Sequence, residues 1–278
     1  QIVLPPGGRA FAGLQSRVAA AQPGTSGCTC NAPGTTAPCS AVGLRPTTLP
    51  WPGAAGAPTQ TGKRMHDDMA FSQTGREERA NAASHALGCV LALAAMPALA
   101  QQVGADQHPL RQLGASVFIG SMVLMYLVSA VYHAAPVGRA KRWLRKCDHA
   151  VIFLFIAGSF TPYALAALQR GEGGGTLAAV WVLALVGMAL KLGDRLQHRL
   201  ASTLLYLAFG WLVAAVALPM LAQLPPDSLR LLVAGGLAYS LGSLFFLLDR
   251  RLAYSHLVWH LFVITGSVCH FLAVQALV

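Results

Sequence analysis

Charged side chains are scarce in this sequence of 278 residues, and their scarcity excludes most soluble folds. Only 11% of the residues are charged and 55% are hydrophobic, whereas soluble domains carry about a quarter charged residues. The net charge of +10 would suit a nucleic-acid partner. In a membrane protein, however, such a surplus is typical of basic cytoplasmic loops. We therefore expect an integral membrane protein that contacts membrane lipids and no nucleic acid.

The sequence also lacks a recognisable cysteine pattern, and its first 64 residues lack acidic side chains. The six cysteines have no spacing that indicates a disulfide framework or a cysteine zinc site. Residues 1–64 contain no acidic residue, and no basic start is followed by the apolar stretch of a secretory signal. We expect residues 1–75 to be a disordered leader, either a tail or sequence upstream of the native start, with an organelle transit peptide as the alternative. Residues 76–278 would form the membrane domain.

Seven hydrophobic segments recur from residue 80 onward, and each can cross a hydrocarbon core of about 30 Å. They cover roughly residues 82–101, 112–135, 149–168, 176–193, 203–223, 229–248 and 255–277. Backbone groups in lipid must find partners within their own segment, so helices are expected. Small residues permit close helix contact on the sixth segment: Gly235, Gly236, Ser240 and Gly242. The sequence thus predicts an all-α bundle of seven transmembrane helices.

Basic residues divide unevenly between the two ends of these segments. Fourteen lie in the flank at residues 63–79 or in the loops after the second, fourth and sixth segments, including the predicted loop GRAKRWLRK at residues 138–146. The opposite loops hold Arg111, Arg170 and Arg230. Because basic loops stay in the cytoplasm, we expect the N-terminus inside and the C-terminus outside.

Four ionisable residues enter the segments near the same, cytoplasmic, edge. His133 lies about one turn from the end of the second segment, and Asp148 opens the third. His256 and His260 lie in the first two turns of the seventh. Ionisable groups at membrane depth are costly and usually face the bundle interior. The topology therefore predicts that residues far apart in sequence share one layer.

The histidine pair has the spacing of a metal site, because residues four apart share one face of a helix. With His133, the pair His256 and His260 would supply the three ligands that catalytic zinc uses beside an open position for water. Imidazole also suits iron, copper and nickel. Asp148 would contact that water, and Ser129, one turn before His133, would reach the water or a substrate carbonyl.

Each residue also has a simpler interpretation. A single histidine at a helix end commonly sits at the membrane interface. Asp148 could cap its helix, and Ser129 could be a packing hydroxyl. His85 could line the same cavity, although packing is the favoured role. His270 lies about 15 Å beyond His260 along the seventh helix, too deep for the same ion.

Four stretches carry a family resemblance, in the right order and with the right number of spans. They are EERANAASHALG (77–88), SAVYH (129–133), LRKCDHAVIFLFIAGSFTPY (144–163) and SHLVWHLFVITGSVCHF (255–271). Over about residues 76–278 the chain resembles the hemolysin III family, the bacterial branch of the progestin and adiponectin receptor-like superfamily.

The resemblance implies a multi-pass protein of the bacterial inner membrane with the N-terminus inside. It implies a zinc ion held by His133, His256 and His260. Asp148 matches the acid that contacts zinc through water, and Ser129 matches the motif serine. The superfamily also resembles alkaline ceramidases, which hydrolyse lipid amides.

Three functions follow as hypotheses. Zinc would acidify water and polarise a carbonyl, so the first is a zinc-dependent hydrolase of membrane lipids. HLVWH lacks the Glu of zinc proteases with the motif HExxH, which makes Asp148 the candidate acid/base. The second is a regulator or sensor of membrane state with structural zinc. The third is a pore-forming hemolysin, for which the sequence offers no amphipathic pore-lining helix.

Overall fold

Seven helices make up the fold in residues 73–106 and 108–277, which are the residues that the structure, a computed structural model, describes. They are α1 (Gly75–Asp106), α2 (Pro109–Ala134), α3 (Arg139–Leu168), α4 (Gly174–Leu192), α5 (Arg199–Leu221), α6 (Pro226–Leu248) and α7 (Ser255–Gln275). All seven are long and apolar enough to cross a membrane. The predicted all-α class with seven spans is therefore confirmed. The leader predicted for residues 1–75 lies almost wholly outside the described residues.

Helix α1 begins seven residues before the predicted apolar span (82 − 75 = 7), and a capping box explains this start. The Thr74 backbone N–H donates to the Glu77 carboxylate at 2.8 Å, and the Glu77 N–H donates back to Thr74 Oγ1 at 3.3 Å. This reciprocal pair satisfies backbone donors that have no partner within the first helical turn. The cap places two acidic residues, Glu77 and Glu78, at the mouth of the bundle.

Helix α3 begins at Arg139, so the prediction of a loop at residues 138–146 is wrong. The prediction that Asp148 opens its span is wrong for the same reason. More than two helical turns precede Asp148, which cannot cap this helix. Arg, Lys and Leu are good helix formers in any solvent. The helix therefore continues past the apolar stretch that hydropathy detects.

Helix α3 lies at the centre of the arrangement. It packs against α2, α4 and α5 and touches α7. Helix α1 packs against α2 and α7, and α6 packs along α7. Phe118 of α2 and Phe153 of α3 are buried in the resulting core. This connectivity brings the end of α2 and the start of α7 together beside α1.

Small residues allow α6 and α7 to approach closely, as predicted for the sixth span. A Cβ added at Gly242 would lie 2.5 Å from Phe262 Cβ, and one at Gly266 would lie 2.5 Å from Tyr239 Cε1. Ser240 instead faces α5, where the Trp211 indole donates to its hydroxyl at 3.1 Å. Glycine is needed on the α6–α7 seam because any side chain there would separate the helices.

Alternating helix directions collect the basic ends of the bundle on one side. Lys146, about two turns into α3, pairs with Asp194 after α4, and Arg199 of α5 pairs with Asp249 after α6. The Tyr254 backbone N–H donates to Glu77 Oε1 at 2.8 Å and so joins α1 to the start of α7. That this end faces the cytoplasm stays a prediction from the positive-inside rule.

Candidate metal centre

Three histidines converge where the end of α2 meets the start of α7. His133 belongs to the last turn of α2, and His256 and His260 to the first two turns of α7. Each offers a ring nitrogen, and these three atoms lie within 4.8 Å of one another. His133 and His260 are buried, and His256 is half-buried. In the described part of the chain, no other group of three His, Cys, Asp or Glu side chains is arranged so closely.

His133 is oriented by an acid from α1. Its Nδ1 lies 2.8 Å from Glu78 Oε2, and Lys141 Nζ lies 3.1 Å from the other carboxylate oxygen. Because a carboxylate paired with lysine only accepts, Nδ1 must carry the proton and donate. The lone pair is then on Nε2, which is buried and has no hydrogen-bond partner. A buried nitrogen lone pair without a partner needs an explanation, and a metal ion bound by the histidine would supply one.

His260 is oriented by a hydroxyl from α1. The Ser84 hydroxyl donates its single proton to the Asn81 carbonyl at 2.8 Å. It can therefore only accept from His260 Nδ1, which lies 2.9 Å away. As in His133, this contact places the proton on Nδ1 and leaves the Nε2 lone pair available.

His256 is oriented by an acid in the loop after α6. Its Nδ1 lies 3.3 Å from Asp249 Oδ2, and the second oxygen of Asp249 pairs with Arg199. Burial opposes the charge on Asp249, but hydrogen bonds from His256 and Arg199 outweigh it and lower the pKa of this carboxyl below its ordinary value. Asp249 is therefore a charged acceptor at neutral pH, and Nε2 of His256 is again the free nitrogen.

The three contacts form the pattern expected around a histidine-bound metal. Ligating histidines almost always donate their second ring N–H to a carboxylate, carbonyl or other acceptor, which fixes the tautomer and the ring orientation. Here all three rings do so at Nδ1, which leaves the second ring nitrogen of each free of that contact, and one ring nitrogen of each histidine lies within 4.8 Å of the others. The residues therefore fit a metal ion with nitrogen ligands, and the imidazole donors suit zinc, iron, copper or nickel.

Asp148 and Ser129 lie beside the three histidines without joining the ligand set. Ser129 is 2% exposed, one turn before His133 on α2. Asp148, on α3, interacts with the Ser129 hydroxyl and electrostatically with His133 and His256. Asp148 is not among the atoms that converge.

His85 also belongs to this region. Its ring is stacked on His260, with centroids 3.5 Å apart and planes 12° from parallel, and its edge meets Tyr126 at 5.1 Å. His270 lies deeper, packed edge-on against Tyr239 at 5.4 Å. As expected from its depth, it is not part of the convergent set.

Glu78, Ser84 and Asp249 were not predicted as site residues. The sequence offered one signal for two of them: Glu78 and Ser84 lie in the stretch EERANAASHALG, which also contains His85. Asp249 follows α6 in a loop and has no local pattern. Its role depends on the fold, which brings that loop against the first turn of α7.

Comparisons with known proteins agree with this architecture. The family model described as Haemolysin-III related matches residues 73–271. The chain belongs to this family. Within it, Hemolysin-3 of Bacillus cereus is 34% identical over 204 residues, which cover 73% of this chain and 93% of that protein. The Hemolysin-3 homolog of Bacillus subtilis is 34% identical over 199 residues, with 72% and 93% covered.

A more distant relative of this haemolysin III-related chain occurs in animals. The human Monocyte to macrophage differentiation factor is 30% identical over 214 residues, which cover 73% of this chain and 85% of the human protein. The predicted family is therefore confirmed, as is a multi-pass membrane protein. The relatives' names mention haemolysis and differentiation and no enzymatic activity.

Proposed function

We propose that this haemolysin III-related protein is a zinc-dependent hydrolase that acts on an amide or ester bond of a membrane lipid. His133, His256 and His260 would hold the zinc ion. The observation that supports this most strongly is that each of the three rings has Nδ1 on an acceptor, while a ring nitrogen of each lies within 4.8 Å of the others. Three nitrogen ligands and an open position are typical of catalytic zinc.

Zinc in such a site polarises a carbonyl and acidifies water. The remaining chemistry belongs to side chains of the protein. Asp148 would accept a proton from the water and deliver it to the leaving group, because HLVWH offers no acid between its histidines. The Ser129 hydroxyl would orient that carboxylate, with which it already interacts, or donate to the carbonyl of the substrate.

The position of the site supports a lipid substrate. The histidines lie in the last turn of α2 and the first turns of α7, so the site lies near one edge of the membrane. By the positive-inside rule this is the cytoplasmic leaflet, where the amide or ester of a lipid would lie at similar depth. We propose the bacterial inner membrane as the location, and the resemblance to alkaline ceramidases favours an amide.

The test measures the release of fatty acid from a panel of membrane lipids by the purified wild-type protein and by the purified Asp148→Asn variant. We expect release of fatty acid by the wild type and at least a hundredfold loss in the variant, because general acid–base catalysis contributes about 10²–10⁴-fold. Zinc content must be equal in the two samples, since Asp148 is not a ligand. Zinc in the wild type without turnover of any amide or ester in the panel would exclude the hydrolase.

A second candidate, a sensor or regulator with structural zinc, is favoured by the number of elements that meet here. Residues of α1, α2 and α7 and of the loop after α6 all contact the histidines. A metal at this junction would hold the helices together. In that case the wild type would turn over no lipid, and His133→Ala would lower the unfolding temperature strongly whereas Asp148→Asn would not.

Cytolysis is the third candidate, and the name Hemolysin-3 of the Bacillus cereus relative is its support. All seven helices are apolar enough to cross a membrane, and the sequence offers no amphipathic helix to line a pore. Dye-loaded liposomes separate this candidate from the others. Leakage caused by the pure protein would support a pore, and intact liposomes under conditions where zinc is bound would exclude it.

A further inference from the structure

Helix α1 carries no ligand of the proposed zinc site, yet it contacts the site more than any other helix without a ligand. Glu78 accepts from His133, and Ser84 accepts from His260. The neighbour of Ser84, His85, contributes something different, because it meets His260 through the face of its ring. This contact has no place in the chemistry above, and it raises the question of what His85 does.

His85 is not a fourth ligand in this arrangement. A metal bound by His260 lies in the plane of the His260 ring, since the nitrogen lone pair lies in that plane. The two rings are nearly parallel with centroids 3.5 Å apart. The same ion would therefore lie well above the His85 ring, where imidazole has no lone pair to offer. Direct coordination would require the stack to separate.

His85 is itself held firmly. It is 4% exposed, and its edge packs against the Tyr126 ring of α2 at a centroid distance of 5.1 Å. Tyr126 is 2% exposed and lies on Gly88, one turn after Ser84 on α1. A Cβ added at Gly88 would lie 2.8 Å from Tyr126 Cε1, so glycine is required for this packing. The face presented to His260 is thus fixed by two helices.

Two contacts from α1 together define the orientation of His260. The hydrogen bond from Nδ1 to Ser84 fixes the rotation of the ring within its own plane. The stack on His85 fixes the tilt of that plane. The rings of His133 and His256 also contact His260 in T-shaped arrangements, at centroid distances of 5.0 and 4.7 Å.

We propose that His85 is a positioning residue, whose ring fixes the plane of His260 and so directs its Nε2 at the metal. This inference rests on the proposed zinc site. It assigns the effect to the ring and not to the nitrogens of His85, which are both buried without hydrogen-bond partners. His85→Phe keeps a flat ring and removes both nitrogens, whereas His85→Ala removes the ring.

The test compares these two variants in the full chain, purified in detergent, with Leu99→Ala as a control. Leu99 is 2% exposed on the same helix, and it belongs to the apolar core away from the histidines. Zinc affinity is measured by competition with a chelator. The visible spectrum of the Co²⁺-substituted protein reports the ligand geometry independently of activity.

We expect His85→Ala to bind zinc at least tenfold more weakly and to change the Co²⁺ spectrum, by analogy with other outer contacts of metal ligands. We expect His85→Phe to restore both, and Leu99→Ala to change neither. Normal affinity and spectrum in His85→Ala would overturn the inference. Loss in both His85 variants would also overturn it and assign the effect to the nitrogens.

The same samples separate this inference from the proposed function. Absence of zinc and Co²⁺ binding in the wild type would overturn both. Metal in the wild type with an unchanged His85→Ala would overturn the positioning role alone. If His85→Ala does not fold, His85→Phe still decides: a folded variant that loses the metal contradicts the proposal.

Discussion

At the scale of single residues, the site depends as much on hydrogen-bond acceptors as on the histidines themselves. Glu78, Ser84 and Asp249 each accept from the Nδ1 of one histidine. A neutral imidazole can use either nitrogen to bind a metal, and these acceptors decide in favour of Nε2 in all three. Without these acceptors, nothing would select the same ring nitrogen of all three histidines as the metal ligand.

Glu78→Gln tests this dependence at one ligand. The amide keeps the shape of the side chain but removes the charge that pairs with Lys141 and supports His133. We expect zinc affinity to fall about 10–100-fold, because outer acceptors contribute that much at other metal sites. Chelator competition measures the effect. Glu172→Gln, at an exposed position at the opposite end of the bundle, is the matched control, and equal affinities in the two variants would contradict the account.

At the scale of helices, α6 and α7 form the tightest seam in the region that carries the histidine pair. Gly242 of α6 packs directly against two aromatic residues of α7, Phe262 and Trp259, and has no space for a side chain of its own. Trp259 immediately precedes His260 in the sequence, and Phe262 follows it by two residues. The α6–α7 distance therefore controls where α7 places its histidines.

Gly242→Ala should force this seam apart. The new methyl group would lie 2.5 Å from Phe262 Cβ, an atom that cannot move without the helix. We expect a loss of about 1–3 kcal/mol in the free energy of unfolding, as for other overpacked cores. Gly120→Ala, on α2, has no atom near the added methyl group and serves as the control. The stability of each variant is measured by thermal unfolding in detergent. Equal stability of Gly242→Ala, Gly120→Ala and the wild type would contradict the prediction.

The sequence predicted the helices better within the apolar, membrane-spanning stretches than at their polar ends outside the membrane. Seven apolar stretches were sufficient for seven spans, because a helix in lipid must be apolar for about 20 residues. The same criterion missed residues 139–147 of α3, which are polar yet helical. Helix propensity decides the structure of these residues, and a hydropathy profile does not detect it.

The site was predictable only in part, for a similar reason. The spacing of His256 and His260 and the alternation of spans predicted that His133 would lie level with them, and the structure brings the three together. The acceptors could not be predicted in the same way. Asp249 contacts His256, which follows seven residues later after a turn, and Ser84 contacts His260, which lies 176 residues further along the chain. Such contacts depend on which helices are neighbours, and neither spacing nor charge specifies that.

At the scale of the whole molecule, the account depends on which side of the membrane holds the site. The ion pairs between Lys146 and Asp194 and between Arg199 and Asp249 gather the basic ends on the side of the histidines. If that side is cytoplasmic, the C-terminus lies outside. We expect alkaline phosphatase fused after Val278 to be active in bacterial cells and a green fluorescent protein fusion there to be dark. The reverse pair of results would place the site in the outer leaflet.

The central claim is that three histidines from two helices far apart in sequence hold one zinc ion, and metal analysis tests it most directly. Protein purified in mild detergent, without added chelator, is analysed beside His256→Ala and the control Leu99→Ala. The account predicts about one zinc per chain in the wild type and the control, as expected for one three-histidine site. It predicts none in His256→Ala. Protein that is folded yet free of zinc, or zinc that persists in His256→Ala, would contradict it.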